Sequence, residues 1–600
     1  MKYSDLMVEW LAELGYTHCF FVAGGNSMHL LDGVRKRMTC VPVVHEVAAG
    51  IAVEYFNEAT GGGRAFALVT AGPGLTNLVT ALAGAHLESR ELLALGGQVK
   101  STDLAGPSLR QRGIQEVDGI AIAAPVCVAV ERVEAPIDRA HFEALVQAGR
   151  SGRPGPVFIE VCLDAQGTPV EPDALNSGAR RVTVPATPGH EESAPAAAQI
   201  AELMQQAERP VWLLGGGLSR DAVRDLLPGV TETGVPLMTT WNAMDRVGAD
   251  EPLFVGRPNT WGQRSANVLL AQADLIVAFG SRLGLQQTGF NWEGFAPRAK
   301  VVQIDVEQAE LDKGHPRLDL ALWADADAVL AELVRREYPD YGDWLGFCRD
   351  VRELLPVKEE GNQTAPGYLS PYDFVEQLST RCSPGDTVIP CSSGGAFTVS
   401  MQVFAQKSGQ IVITDKGLAS MGYGLSGAIG AALAHPDRRT VLLEGDGGFA
   451  QNIQELATVR VNDLNLKTFI FSNEGYASIR MTQLNYFGGE YLGCDTRTGL
   501  GFPDWPALFA AFGIPVLALD VGWAGDARFD ELFEAPGPAA FIVPIDPEQT
   551  YFPKISSRMN ESGSMESNPL HLMSPDLPED VANQVFAHLT EPAPAGGGNR

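Results

Sequence analysis

An acid at the end of one buried strand, followed by an amide at the end of the next, leaves few folds open to a chain. Here the apolar run Thr440-Val-Leu-Leu-Glu444 stops at Gly445-Asp446-Gly447-Gly448. The stretch Asn452 to Val461 predicts a helix, and Lys467 to Phe471 predicts a second strand that stops at Asn473-Glu474-Gly475-Tyr476. Strand, helix and strand in that order form a parallel pair, with Asp446 and Asn473 at the two strand ends. Side-chain oxygens from Asp446 and Asn473, with the backbone carbonyl of Gly475, can hold one hard divalent cation. Mg²⁺ prefers six oxygen ligands and takes few of them from side chains, leaving places for phosphate and water. Gly-Asp-Gly alone is a common turn. The full order of elements is what points to a metal that grips a diphosphate.

The same alternation of short apolar runs with helix-length amphipathic runs continues along most of the chain, which predicts an α/β protein of doubly wound parallel sheets. At 600 residues it exceeds one hydrophobic core. Two seams rich in Pro, Gly, Ser and Thr, Gln166 to Pro195 and Lys358 to Ser370, divide it into segments of about 1–165, 190–345 and 370–590. Residues 591–600 have the composition of a disordered tail. With 73 acidic against 44 basic residues, the net charge of −29 repels nucleic acid and anionic lipid. No apolar run is long enough to cross a bilayer, since Ile120 to Val130 is short and broken by Pro125. The eight cysteines form no Cys-x-x-Cys pair or metal-ligand spacing, so they read as reduced thiols of a cytoplasmic protein.

The first segment carries a second chemical signal. Val41-Pro-Val-Val-His-Glu46 reads as a buried strand ending in a carboxylate, with a small-residue helix, Val47 to Tyr55, after it. Thr70-Ala-Gly-Pro-Gly-Leu-Thr-Asn77 follows the strand Ala65 to Val69 and reads as a tight glycine turn, at which Gly72 lets backbone approach a ligand at the start of a helix. In the middle segment the apolar runs end at Gly215-Gly216-Gly217, at Ser281-Arg282 and at Asp305, with Asp325 beyond. Open α/β sheets bind nucleotides at such ends, so an adenine nucleotide or FAD is one reading and a purely structural Rossmann-like domain the other.

The Asp446-to-Asn473 pattern resembles the diphosphate anchor of thiamine diphosphate enzymes. That cofactor needs a carboxyl group against N1′ of its aminopyrimidine, and Glu46 is the candidate. The whole chain is similar to the acetolactate synthase family of these enzymes. The likeness rests on His45-Glu46, Thr70 to Asn77, Gly97-Gln-Val99, Gly152-Arg-Pro-Gly-Pro-Val157, Met421-Gly-Tyr-Gly424, Gly445-Asp-Gly-Gly-Phe449 and Ile453-Gln-Glu-Leu-Ala-Thr458. It implies pyrimidine-binding, Rossmann-like middle and pyrophosphate-binding domains. It also implies a cofactor site formed by Glu46, Gly72, Asn77, Ser420, Met421, Gly445, Asp446, Gly447, Gly448, Asn473, Gly475 and Tyr476, with Met421 under the bent cofactor. Gln98 and Gln115 match positions that line the substrate side. The implied active site is shared between two subunits of a homodimer or homotetramer, Glu46 of one chain facing the metal site of its partner.

Two departures bear on the acceptor. Where acetolactate synthases carry His-Gln-Met in the loop after the first strand of the third domain, this chain has Cys391-Ser-Ser-Gly-Gly-Ala-Phe397. Where they place a Trp that selects the second oxo acid, this chain has Thr482. Cys391, Thr482 and Arg112 are therefore candidates for the acceptor pocket. The tail from Lys554 to Arg558 and from Asn568 to Asp576 is similar to that of acetyl-transferring carboligases of yersiniose-type sugar biosynthesis. The resemblance implies decarboxylation of pyruvate or a near homologue, with the acyl unit passed to an aldehyde, ketone or keto sugar. Acetolactate synthesis proper, an FAD-dependent pyruvate oxidase, a simple 2-oxo acid decarboxylase and a catalytically silent cofactor-binding protein remain the alternatives.

Overall fold

The computed structural model describes residues 1–60, 63–106, 108–172, 175, 182–559 and 565–589. It divides into two compact units. Among the described residues, those within 1–186, 385–397 and 413–547 form one, and those within 187–384, 398–412 and 548–589 form the other. The predicted tail at 591–600 lies outside the described residues.

The first unit holds two parallel sheets. In the N-terminal sheet the spatial order is Thr39–Pro42, Tyr16–Phe21, Arg64–Val69, Leu92–Gln98, Pro156–Cys162, Ala129–Val133. Its central strands are apolar on both faces, as strands between two helical layers must be. The buried strand expected from Val41 to Glu46 is instead a short edge strand, Thr39–Pro42, with one buried residue. It ends at Pro42 at the sheet edge, and Glu46 opens the helix Glu46–Ala59 instead of closing a strand. The last ladder bond runs from Val43 N–H to the Phe21 carbonyl at 3.0 Å, and the missing N–H of Pro42 falls on the open side of this edge strand, where proline is tolerated. The second sheet of this unit runs Thr387–Ile389, Thr440–Gly445, Leu466–Ser472, Ala539–Pro544, Val516–Ala518. The predicted helix between its second and third strands is a short 3₁₀ turn, Ile453–Glu455, that runs into the helix Leu456–Val461.

Helix Glu46–Ala59 joins the two halves of the unit. On one side it meets helix Pro73–Glu88, where a Cβ on Gly50 would stand 2.5 Å from the Cβ of Ala81. On the other it meets helix Tyr423–Ala434, where a Cβ on Gly427 would meet the Tyr55 ring at 2.5 Å. A Cβ on Gly430 would come within 2.0 Å of the Ala52 carbonyl oxygen. These glycines let the helix backbones approach to contact.

The second unit is built on one parallel sheet, ordered Leu320–Trp323, Lys300–Asp305, Leu275–Phe279, Pro210–Leu214, Leu237–Thr239, Phe254–Gly256. The Gln166 to Pro195 seam is interrupted by order at both ends: helix Leu163–Gly167 enters it and helix His190–Met204 begins inside it. Residues 548–589, grouped by sequence with the third domain, belong to this second unit. Strand Lys554–Ile555 pairs antiparallel with Met573–Ser574, and Ser557–Met559 with Met565–Ser567. Leu570 and Val585 enter the middle domain's apolar core. Gln272 binds the terminal helix at both faces of its amide, donating to the Val585 carbonyl at 2.8 Å and accepting from His588 N–H at 2.9 Å. Burial of these apolar side chains is the force that carries the tail to the middle domain.

Gly430→Ala is expected to lower stability by about 1–3 kcal/mol, because backbone atoms cannot turn aside for a methyl group as a side chain can. Gly346→Ala, on helix Gly342–Leu354 where an added Cβ meets nothing within 4 Å, is the control and should hold or raise the thermal midpoint. Equal midpoints for the two variants would contradict this packing.

Candidate active site

The site residues of the third domain gather at the carboxyl ends of three neighbouring strands, where open parallel sheets bind ligands. Cys391 follows Thr387–Ile389, Asp446 follows the Gly445 end of Thr440–Gly445, and Asn473 follows Leu466–Ser472. Asp446 is buried and accepts three backbone hydrogen bonds, from Gly447 N–H at 2.7 Å, Asn473 N–H at 2.9 Å and Glu474 N–H at 2.8 Å. Burial nevertheless pushes its carboxyl up to about 6, because the charged form has lost water. A positive charge beside it would restore the carboxylate.

The atoms around Asp446 provide the place. The side-chain oxygen of Asn473 faces only acceptors, 2.7 Å from the Gly475 carbonyl oxygen and 3.3 Å from Asp446 Oδ1. Neighbouring oxygens in an octahedral Mg²⁺ shell, with bonds of about 2.1 Å, stand about 3.0 Å apart. Three oxygens converging in this way suit a hard cation; with no ion between them, the amide would turn end for end and donate instead. No group of three or more His, Cys, Asp or Glu side chains suited to a metal occurs among the described residues, so this oxygen set stands apart from carboxylate-rich or thiolate sites.

Glycines keep the surroundings open. Gly445 has nothing within 4 Å of an added Cβ, and Tyr476 lies against Gly447 so closely that a Cβ there would be 2.3 Å from its ring. Gly475 packs under the Cys494 carbonyl, and Gly448 lies beside Glu444. Met421 projects from the turn ahead of helix Tyr423–Ala434 and is 37% exposed, unusual for so apolar a side chain. Its neighbour Ser420 donates its hydroxyl to the Met421 carbonyl at 3.1 Å.

In the N-terminal domain Glu46 is buried at the first position of its helix, where the helix dipole favours negative charge. Asn77 Nδ2 donates to Glu46 Oε2 at 3.0 Å, so two residues read from separate motifs meet. Gly72 has φ +65°, and an added Cβ would lie 2.3 Å from the carbonyl oxygen of Gln115. The glycine turn and the Gln115 loop are thus stacked backbone to backbone. Gln115 is exposed with φ +63°, and Arg112 is exposed on the same loop. Gln98 is fully buried. Its amide donates to the Val117 carbonyl at 3.0 Å and to Glu160 at 2.9 Å and accepts from Val99 N–H at 2.9 Å, so its polar atoms brace this loop from beneath.

The acceptor candidates fall in different surroundings. Cys391 is buried at φ +39°, its thiol donates to the Ser393 carbonyl at 3.5 Å, and burial pushes the thiol well up. Thr482 is exposed on helix Ala477–Phe487, with its hydroxyl returned to the Ser478 carbonyl at 3.0 Å. At the middle sheet, Gly215 and Gly217 pack against Gly280, where an added Cβ would lie 2.4 Å from the Gly280 carbonyl oxygen or 2.8 Å from its Cα. Gly216, Gly217 and Arg282 are exposed at the carboxyl edge. Ser281, Asp305 and Asp325 each accept a backbone N–H two or three residues on, which shapes the local turns.

Three residues near the site escaped the sequence reading. Glu455 accepts the N–H groups of Val44 at 3.3 Å and His45 at 2.9 Å, fixing the turn before Glu46. Arg480 is buried and donates to the Asn473 carbonyl at 2.9 Å, holding the strand end that bears the amide. Glu444, pushed up to about 8 by burial, lies against the first turn of helix Tyr423–Ala434, where a Cβ on Gly424 would stand 2.5 Å from its Oε2. An acid at the last position of an apolar strand and an arginine one turn into a helix were the available signals.

Three family models match the chain in order: the thiamine pyrophosphate enzyme N-terminal TPP-binding domain over residues 1–122, the central domain over 197–333 and the C-terminal TPP-binding domain over 393–543. The acetolactate synthase isozyme 1 large subunit of Escherichia coli K12 is 30% identical over 565 residues, covering 92% of this chain and 95% of that protein. Isozyme 2 of the same organism is 30% identical, covering 94% of this chain and 100% of that protein. A chloroplastic acetolactate synthase of Oryza sativa is 28% identical over 93% of this chain and 86% of its own length. With three parallel sheets, three family models in order and near-complete alignment in agreement, the chain belongs to the acetolactate synthase-like family of thiamine diphosphate-dependent enzymes.

Proposed function

We propose that this protein decarboxylates pyruvate or a close 2-oxo acid and transfers the acyl unit to an acceptor carbonyl, forming a carbon–carbon bond. The observation that carries the reading is the convergence of Asp446, Asn473 and Gly475 oxygens at the strand ends, in a chain that also keeps Glu46 paired to Asn77. Thiamine diphosphate, when bound, supplies the electron sink that makes loss of CO₂ from a 2-oxo acid feasible. Asp446, Asn473 and Gly475 would hold Mg²⁺. Gly445, Gly447, Gly448, Ser420 and Tyr476 would border the diphosphate, and Met421 the ring system. Asn77 occupies Glu46 Oε2, which leaves Oε1 to exchange a proton with the cofactor's pyrimidine nitrogen. Gly72 and Gln115 would close the substrate side, with Gln98 bracing them from below.

Exposed apolar side chains flank these residues: Val44 beside Glu46, Ile114 beside Gln115, Met421, and Ile479 and Leu484 on the Thr482 helix. Their exposure supports a homodimer in which one chain's Glu46 serves its partner's metal site. A threonine at 482, and Cys391 at the strand end, favour an acceptor bulkier than a second oxo acid, such as a keto sugar of the yersiniose type; Arg112 could meet an anionic group on it. The eight cysteines are free, which supports a reducing, cytoplasmic setting, and no helix among the described residues is long and apolar enough to cross a membrane. The exposed Gly216-Gly217 turn and Arg282 support an adenine nucleotide, FAD in particular, at the middle domain's edge. We take the domain seams as those of the sequence, with 548–589 assigned to the middle domain.

Glu46→Gln should remove most turnover of pyruvate while the thermal midpoint stays put; full activity in that variant would refute its role. Asp446→Ala should weaken Mg²⁺ and thiamine diphosphate binding by about tenfold or more in calorimetry, and undiminished affinity would remove the metal assignment. Mass analysis of products from pyruvate with aldehyde, ketone and keto-sugar acceptors should show a carboligation product; oxygen uptake without one would identify an oxidase. A flavin band in the visible spectrum of the purified protein is expected, and a colourless protein would exclude bound FAD.

A further inference from the structure

We propose that a buried charge network in the N-terminal domain, built on Glu54, Glu88 and Arg90, positions the segment that carries Met421; this rests on the reading of Met421 as a cofactor contact. The segment from Thr414 to Tyr423 has almost no regular structure, yet nearly every residue in it is tied. Arg90 Nη2 donates to the Thr414 carbonyl at 2.8 Å. Glu88 Oε1 accepts from Lys416 N–H at 2.7 Å and also from Gly417 N–H. Asp415 Oδ1 accepts from Leu418 N–H at 3.2 Å and Ala419 N–H at 2.8 Å, the latter holding Ala419 at φ +55°. Ser392 donates to the Ser420 carbonyl at 2.5 Å and Asn452 to the Gly422 carbonyl at 2.7 Å. At the far end Tyr423 donates its hydroxyl to Glu54 Oε2 at 2.9 Å. The Met421 side chain alone is left projecting outward.

The network closes on itself. Arg90 Nη1 donates to Glu54 Oε1 at 2.7 Å, with Glu88 and Glu58 at 3.9 and 3.7 Å from the guanidinium and the Tyr55 ring 5.6 Å from its centre. Glu54 and Asp415 are fully buried, and Arg90 nearly so. Gly84, on helix Pro73–Glu88, has no room for a side chain, since a Cβ would sit 1.8 Å from the Tyr423 hydroxyl and 2.7 Å from Asp415 Oδ2. Four acids lie around one arginine, and burial pushes Glu54 up to about 8. Such a cluster contributes little net stability, because desolvation offsets the attraction, but it has one low-energy geometry. Geometry is what a contact that bends a cofactor requires. Glu54 also lies on the helix that begins with Glu46, so the acid and the Met421 turn take their positions from one rigid element.

Tyr423→Phe, Glu54→Gln and Arg90→Met test this in the full-length protein, with Met421→Ala alongside. Hydrogen–deuterium exchange read by mass spectrometry should rise in the peptide covering 414–423 of each network variant, with and without Mg²⁺ and thiamine diphosphate. The value of kcat should fall about ten- to a hundredfold while KM for pyruvate stays within about twofold. Unchanged exchange in that peptide overturns the proposal. Raised exchange with unchanged kcat overturns it too, provided Met421→Ala is impaired. Full activity of Met421→Ala would instead remove the reading of Met421 beneath it. Should Arg90→Met fail to fold, Tyr423→Phe carries the test, since it removes a single hydroxyl.

Discussion

A carboxylate drawn out of water at the end of an apolar strand is costly to keep charged, and Asp446 is in that position. Three backbone donors soften the cost without removing it, and the carboxyl remains well above its ordinary range. The rest of the third domain is arranged so that a cation can complete the balance. The neighbouring strand delivers Asn473, the turn after it delivers the Gly475 carbonyl, and Arg480 holds that turn from behind. Carboxylate, amide and carbonyl together make a site that is hard, oxygen-only and weakly charged, suited to a metal that must share its shell with phosphate.

The second requirement is that an acid from another domain be set with comparable care. Helix Glu46–Ala59 meets it by packing without slack between helices Pro73–Glu88 and Tyr423–Ala434, with Gly50, Gly427 and Gly430 at the crossings. Its start is fixed twice over, by Glu455 on the preceding turn and by Asn77 on the carboxylate. Its second half enters the Arg90 network. The helix thus behaves as one piece of framework, with the candidate acid Glu46 at one end and the Arg90 network at the other.

Much of this was legible in the residues because strand ends and glycine turns obey local rules. The order from Thr440 to Gly475 was readable since an apolar strand, a turn and an amide need no tertiary information, and the same holds for Gly72-Pro73. Strand length at the sheet edge was not readable, because nothing local in Val43 and Val44 shows that the ladder ends with Val43 N–H on the Phe21 carbonyl. The bracing roles of Gln98 and Glu455 were invisible for another reason: each acts on backbone groups remote in sequence, and no short pattern marks such a partner. Arg90 reads as an ordinary charged residue after a helix, and only burial among Glu54, Glu58 and Glu88 gives it a role. The destination of the tail was equally hidden, since Leu570 and Val585 are unremarkable apolar residues until a core with room for them is known.

That destination governs how the chain can be made. The middle domain's interior is sealed by residues that lie far beyond its own sheet in the chain, Leu570 and Val585 among them, so the domain cannot finish folding when that sheet has been synthesised. It must wait, partly open, while the intervening third-domain sheet is built, and a nascent chain halted near Pro547 would carry an unsealed hydrophobic surface for chaperones to find.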